Sequence, residues 1–320
     1  MHDVLITENI RGEATQRIAQ RFDVTFLPDL WKDSAELLRR IPEFRALIVR
    51  NQTRVDRALL DAAAKLVVVG RAGVGLDNVD VKAATDLNIL VTSTPDQNAI
   101  SVAELAIGMT LALARKIIPA HENTFIGNWN RQHFYGVELY GKTFGIVGAG
   151  KIGYLTASRA RAFGMKILAY DPYVSHDNIY LSELAAQFVS LEDLLSRSDV
   201  VSCHLPSTPE TAGLLNGRMF ARMKSTAFFV NTARGEVVVE EDLAEALASG
   251  VLAGAALDVR SQEPPRPSAL ERAPNILLTP HIAAFTHEAQ QRVTAAICED
   301  VARVLDGLTA QNAVNRVKRR

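Results

Sequence analysis

Short, almost wholly apolar runs recur along this chain with helical stretches between them, and this rhythm restricts the fold more than any other feature. Val4-Leu5-Ile6, Val24-Thr25-Phe26, Ala46–Val49, Leu66–Val69 and Ile89–Val91 lack the polar alternation of a strand with one wet face. Both faces of their sheet are therefore covered, and strands separated by helices lie parallel. The rhythm restarts at Phe144–Val147 and runs through Lys166–Tyr170, Val200–Cys203, Ala227–Val230, Gly254–Leu257 and Ile276–Leu278. Between the two series, Ile100–Ile118 carries Val102, Leu105, Ala106, Met109, Leu113 and Ile117 at helical period, which predicts a connecting helix. A last helical pattern, from Glu288 to Leu308, can return the chain to the first domain.

A chain of 320 residues is long enough for two such cores. Its 35 basic and 36 acidic residues leave a formal charge of -1, so no long-range field draws it to nucleic acid or anionic lipid. Cys203 and Cys298 stand in separate apolar segments without metal-type spacing, which predicts two buried thiols, no disulfide and no metal site. The N-terminus has no signal-peptide pattern and no apolar run is long enough to span a bilayer, so a cytoplasmic protein is expected. The basic tail Arg316–Arg320 reads as a frayed, solvated end.

Gly148-Ala149-Gly150-Lys151-Ile152-Gly153 follows an apolar strand and precedes a helical stretch, Leu155–Phe163. In that context the first glycine permits a tight turn, the second admits a pyrophosphate to backbone amides, and the third lets helix and strand approach closely. The following strand ends in Asp171, 18 residues past Gly153, near the spacing of the acid that accepts hydrogen bonds from the adenosine ribose. A carboxylate there repels a 2'-phosphate, and Tyr173, Val174, Ser175 and His176 supply no compensating arginine, so NAD is expected over NADP.

Arg234, Glu263 and His281 each stand just beyond a predicted strand end, where ligands bind in open α/β sheets. The wording around them, Asn231-Thr232-Ala233-Arg234-Gly235, Leu257-Asp258-Val259 before Glu263-Pro264, and Thr279-Pro280-His281-Ile282, resembles the D-isomer-specific 2-hydroxyacid dehydrogenases, in the same chain order. Gly70–Asp80 and Gly136–Thr143 bring the resemblance nearest to the 3-phosphoglycerate dehydrogenases of that family.

The resemblance implies a flavodoxin-like substrate domain of residues 1–99 and 285–320, with a Rossmann NAD domain of residues 100–284 inserted into it. Both are doubly wound α/β domains, and the active site is expected in the cleft between them. His281 is then the acid/base, Glu263 its partner, and Arg234 the group that binds the substrate carboxylate and polarises its carbonyl. The resemblance further assigns NAD contacts to Gly148–Gly153, Asp171, Pro206, Thr211, Thr232, Ala233, Arg234, Asp258, His281 and Ala284. Asp258 is matched to the nicotinamide carboxamide. Substrate contacts fall to Arg50, the backbone of Val74 and Gly75, Arg234 and His281, with Arg71 and Arg131 as further candidates for a distal anion. A homodimer through the NAD domain is implied.

Two stretches depart from typical phosphoglycerate enzymes. Asn51-Gln52-Thr53 follows Arg50, and Ile282-Ala283-Ala284-Phe285-Thr286-His287-Glu288 follows His281 where glycines are usual. Added volume near the reacting carbon reshapes the pocket, and the wording is similar to sulfolactate dehydrogenases, so a sulfonate is an alternative to a phosphate. Hydroxypyruvate or glyoxylate reduction is a further alternative. His287 reads as a helix-start residue. Glu263, where formate dehydrogenases carry glutamine, argues against formate. A serine-sensing regulatory module is not expected after Arg320. An NAD(H)-sensing corepressor of the same fold is the rival from another class.

Overall fold

The computed structural model describes residues 2–175 and 179–318. His176 and the last two residues of the basic tail lie outside them. The chain divides into two compact units, Met1–Asn98 with Phe285–Arg320, and Ala99–Ala284.

The split unit is built on five strands: β1 (His2–Ile6), β2 (Val24–Phe26), β3 (Phe44–Val49), β4 (Val68–Arg71) and β5 (Leu90–Thr92). They pair in parallel in the order β2-β1-β3-β4-β5, the flavodoxin-like winding. Successive residues alternate between two cores, as the period of a strand requires. Leu5, Leu47, Val49, Val69 and Val91 face one core, while Val4, Ile6, Ala46, Ile48 and Val68 face the other. The second core is closed by helix His287–Leu305, which lays Val293, Ile297, Val301 and Leu305 against the sheet along one stripe. Gly70 in β4 permits that contact, because a Cβ there would lie 2.8 Å from Val301 Cγ2 and 2.9 Å from Ile297 Cγ1.

The tail is tied down as far as Lys318, contrary to the expected fraying. Asn88 pairs with both the N–H and the C=O of Lys318, and the Asn315 side chain accepts from Val91 N–H and donates to Ile89 C=O. These bonds satisfy backbone groups along the otherwise open edge of β5.

The inserted unit holds seven strands: β6 (Thr143–Val147), β7 (Lys166–Tyr170), β8 (Gln187–Phe188), β9 (Val200–Cys203), β10 (Phe228–Asn231), β11 (Gly254–Leu257) and β12 (Ile276–Leu278). All are parallel, in the order β12-β11-β10-β9-β6-β7-β8, so the winding reverses between β6 and β9 as in a dinucleotide fold. The sheet is again buried on both faces: Phe229 enters one core, Phe228 and Val230 the other. Both cysteines are buried, and burial pushes each thiol up to about 12.

The expected helix over Ile100–Ile118 is two helices, Ala99–Ala114 and Ile117–Phe125, separated by Lys116 in the left-handed region at φ 52°. Pro119 falls in the first turn of the second, where its missing N–H costs no intrahelical bond. Among the described residues, no helix is long and apolar enough to cross a membrane.

Candidate active site

The turn after β6 is shaped by what its glycines must clear. Gly148 has φ +100°, and a Cβ on it would lie 2.8 Å from the His204 carbonyl carbon after β9. A Cβ on Gly153 would lie 2.1 Å from Gly148 O, so helix Lys151–Ala162 could not pack here with any side chain at that position. At Gly150, by contrast, a Cβ would meet nothing within 4 Å, and no side chain caps the helix that begins beside it. Open space at the middle glycine and first-turn amides without a side-chain cap fit a pyrophosphate. Lys151 is exposed, while Ala149 is buried.

Asp171, directly after β7, reaches back to this turn. Its Oδ2 accepts from Ala149 N–H at 2.8 Å, and its Oδ1 accepts from the N–H groups of Tyr173 and Val174. The carboxylate thus orders the turn and keeps lone pairs for a diol. On the neighbouring loop, Thr211 Oγ1 donates to Pro206 C=O at 2.7 Å and accepts from Thr208 N–H. Thr232, after β10, has its hydroxyl buried with no hydrogen-bond partner among the described residues, and Ala233 N–H donates to Asn231 Oδ1. An orphaned hydroxyl at a strand's carboxyl end is what a bound cofactor would satisfy.

His281 and Glu263 meet at the other end of this row. Nδ1 of His281 donates to Glu263 Oε2 at 2.7 Å, with both side chains partly exposed. The Arg260 N–H donates to Glu263 Oε1 at 3.1 Å. Burial pushes the Glu263 carboxyl up, but the bonds from His281 and Arg260 and the charges of His281 and Arg234 hold it below the ordinary value. His281 has φ 55°, a left-handed backbone that strains a side-chain-bearing residue. Asp258 over-determines it. Its carbonyl accepts from His281 N–H, and its buried carboxylate accepts from Thr279 Oγ1 and from the N–H groups of Ile282 and Ala283 at 2.8 Å each. Asp258 therefore builds the turn that presents His281, a role that the sequence did not show. Arg234 is held from below, its carbonyl accepting from Asn231 Nδ2 and its guanidinium donating to Ala233 C=O.

Sequence reasoning missed what anchors the Glu263 loop. Arg260 donates to Glu240 Oε2 through Nη2 at 2.7 Å and to Glu271 Oε1 through Nη1 at 2.6 Å, while Ser261 N–H donates to Glu240 Oε1. Arg260 and Glu271 line a pocket of about 450 Å³ together with Asp258, Glu263 and His281. His204 was also missed. It sits buried against the glycine turn with Nε2 3.0 Å from Ser202 Oγ, and burial pushes its imidazole down to about 3, so it is neutral. Strand-end position was the available signal for His204, directly after β9, whereas nothing close in sequence marked the partners of Arg260.

In the split unit, Arg50 follows β3 and Val74 and Gly75 follow β4, at the carboxyl edge of the sheet. Val49 pairs in register with Arg71, whose side chain folds over Gly73. The buried Glu8, unnoticed in the sequence, accepts from the N–H groups of Arg50, Gln52 and Thr53. Arg131 lies exposed on a short 3-10 turn of the inserted unit. Ala284 and Phe285 stand where the chain passes from one unit to the other, and His287 is the first residue of its helix, with Thr286 as cap.

Residues 107–283 match the family model described as D-isomer specific 2-hydroxyacid dehydrogenase, NAD binding domain. The D-3-phosphoglycerate dehydrogenase of Archaeoglobus fulgidus is 45% identical over 98% of this chain, which spans 59% of that relative. Among solved structures, the TT0316 protein of Thermus thermophilus superposes with a TM-score of 0.91 at 37% identity, over 98% of this chain and 100% of its own. The D-lactate dehydrogenase of Aquifex aeolicus, complexed with NAD and lactic acid, superposes with a TM-score of 0.87 at 27% identity, over 98% and 100%. The chain belongs to the D-isomer specific 2-hydroxyacid dehydrogenase family. Its inserted unit carries that family's NAD-binding domain.

Proposed function

We propose that the chain interconverts a small D-2-hydroxy acid and its 2-keto acid with NAD, and that 3-phosphoglycerate is the first substrate to consider. The observation that carries this reading is the 2.7 Å contact of His281 Nδ1 with Glu263 at the carboxyl end of the nucleotide sheet. Glu263 keeps Nδ1 as a donor, so Nε2 is the nitrogen that takes the substrate hydroxyl proton. The imidazolium so formed sits beside an ionised carboxylate. As the O–H electrons become the second bond of the carbonyl, the electron pair of the α C–H bond departs as hydride. When bound, NAD supplies the acceptor for it. Arg234, whose charge already acts on Glu263, holds the substrate carboxylate and polarises the carbonyl oxygen. In reduction His281 returns the proton.

The NAD contacts are Gly148–Gly153, Asp171, Pro206, Thr211, Thr232, Ala233, Arg234, Asp258, His281 and Ala284, with Asp171 disfavouring a 2'-phosphate. Residues 1–99 and 285–320 act as the substrate domain, through Arg50 and the Val74-Gly75 backbone. A homodimer through the NAD domain is supported by helix Ile117–Phe125, which buries none of its residues and leaves Ile117, Ile118 and Phe125 exposed, with Trp129 and Tyr135 beyond it.

The test is a screen of NADH formation with 3-phosphoglycerate, sulfolactate, glycerate and lactate, and of NADH consumption with hydroxypyruvate and glyoxylate. Turnover of 3-phosphoglycerate above the others supports the reading. Preference for sulfolactate moves the assignment to a sulfonate. Absence of turnover with every acid refutes the enzyme and leaves the NAD(H)-sensing corepressor.

A further inference from the structure

The backbone around Arg50 is fixed and its guanidinium lies over an aromatic ring. Buried Glu8 accepts from the N–H groups of Arg50 at 2.8 Å, Gln52 at 3.1 Å and Thr53 at 2.9 Å. Asn78 Nδ2 donates to the carbonyls of Arg50 and Thr53, and the Thr7 and Thr53 hydroxyls bond each other at 2.7 Å. With the loop held this way, what is left to choose is the direction of the guanidinium. Phe285 makes that choice, its ring centroid lying 4.4 Å from Arg50 Cζ. The two belong to the same unit though they are far apart in sequence.

We infer that Phe285 is a positioning residue that holds the Arg50 guanidinium over its ring, and thereby sets a preference for 2-hydroxy acids that carry a second, distal anionic group. This rests on the reading of the chain as a 2-hydroxyacid dehydrogenase. An aromatic face attracts the cation without accepting hydrogen bonds from its N–H groups, so the fork is held in place with its donors left for two oxygens of a phosphate or sulfonate. Among the described residues, no acceptor is hydrogen-bonded to the Arg50 guanidinium. Burial pulls Arg50 below its ordinary value and the charge of Glu8 opposes that shift, so it remains a cation partly stripped of water. A ligand with an uncharged tail leaves such a cation unpaired, whereas a distal anion pairs it, and that difference is the source of discrimination. Val49, directly before Arg50, pairs with Arg71 on β4, so the fork stands at the carboxyl edge where ligands of such sheets bind.

The experiment compares kcat/KM for 3-phosphoglycerate and for glycerate, which lacks the distal anion, in the full-length protein. In Phe285→Leu the ratio of the two is expected to fall about three- to tenfold through KM for 3-phosphoglycerate, and Phe285→Tyr to restore it. Arg50→Gln should collapse the ratio further, and Phe285→Leu added to Arg50→Gln should change it no more, since the ring acts only through the cation. Equal losses for both acids in Phe285→Leu, or additive effects in the double variant, would overturn the inference. A wild-type protein that prefers glycerate overturns it while leaving the dehydrogenase standing. A wild type that turns over neither these acids nor the others overturns both.

Discussion

Replacing Arg260 by Leu should cost the inserted unit about 3 kcal/mol at neutral pH. The Arg260 and Glu240 side chains are only 9% and 10% exposed, and removing one partner of so buried a pair costs roughly 3–5 kcal/mol because the other charge is stranded. Two features put the loss at the lower end. Glu240 keeps its bond from Ser261 N–H and stands in the first turn of helix Glu240–Ala248, where the dipole favours a carboxylate. Glu271 is 35% exposed on its side chain, so water screens most of what its pair contributes. The pH dependence follows from the carboxylates. In the native protein, burial pushes Glu240 up, but Arg260 and Ser261 hold it below the ordinary value, and Glu271 is held at about 2. A depressed carboxyl stabilises the fold above its unfolded pKa, and that stability is lost as pH falls through the folded value. In the variant, burial dominates at Glu240 and raises it, so the variant is penalised while Glu240 is charged and recovers as acid protonates it. Urea unfolding followed by circular dichroism near pH 7 and again at about pH 5 should therefore show a smaller deficit at the lower pH. Arg260→Leu combined with Glu240→Leu should regain most of the loss. A deficit under about 1 kcal/mol at neutral pH, or one equal at both pH values, would show that Arg260 does not hold a stranded Glu240 charge in check.

Gly70→Ala should destabilise the split unit by about 1–3 kcal/mol, because its Cβ falls on Val301 and Ile297 of the closing helix; an unchanged urea midpoint would show that the helix can shift freely. Asp171→Ala should lower the ratio of kcat/KM for NADH over NADPH by about tenfold or more, since hydrogen bonds to a charged group are worth roughly 1.5–3 kcal/mol. Its bond to Ala149 N–H is lost as well, so binding of both cofactors should weaken, and an unaltered ratio would remove Asp171 from cofactor choice.

Both parallel sheets were legible because strands buried on two faces read as continuous apolar runs, and β2, β7, β9, β11 and β12 fall where those runs do. β10 lies one residue later than its run, at Phe228–Asn231, since Asn231 pairs as a strand residue despite its polar side chain. β8 carried no signal: Gln187–Phe188 is too short to show a period. The break at Lys116 was hidden because its left-handed residue is neither Gly nor Asn, although Pro119 soon after was a sign of a new first turn. In the site, the glycine turn was local and therefore readable, whereas Arg234, Glu263 and His281 gained meaning only from the order of their motifs. Glu8 and Arg260 could not be read at all as supports. The N–H groups that Glu8 holds come 42 to 45 residues later, and the acids that pair with Arg260 lie 20 and 11 residues away on either side.

Whether His281 moves the substrate proton is decided by steady-state NADH formation in the wild type and in His281→Gln, on the acid that the wild type uses best, alongside NADH binding by fluorescence. In His281→Gln, kcat should fall about 10²–10⁴-fold because general acid–base catalysis is lost, while the NADH Kd should move far less, because the glycine turn and Asp171 are untouched and His281 is one NAD contact among many. A kcat that survives the substitution would contradict proton transfer by His281.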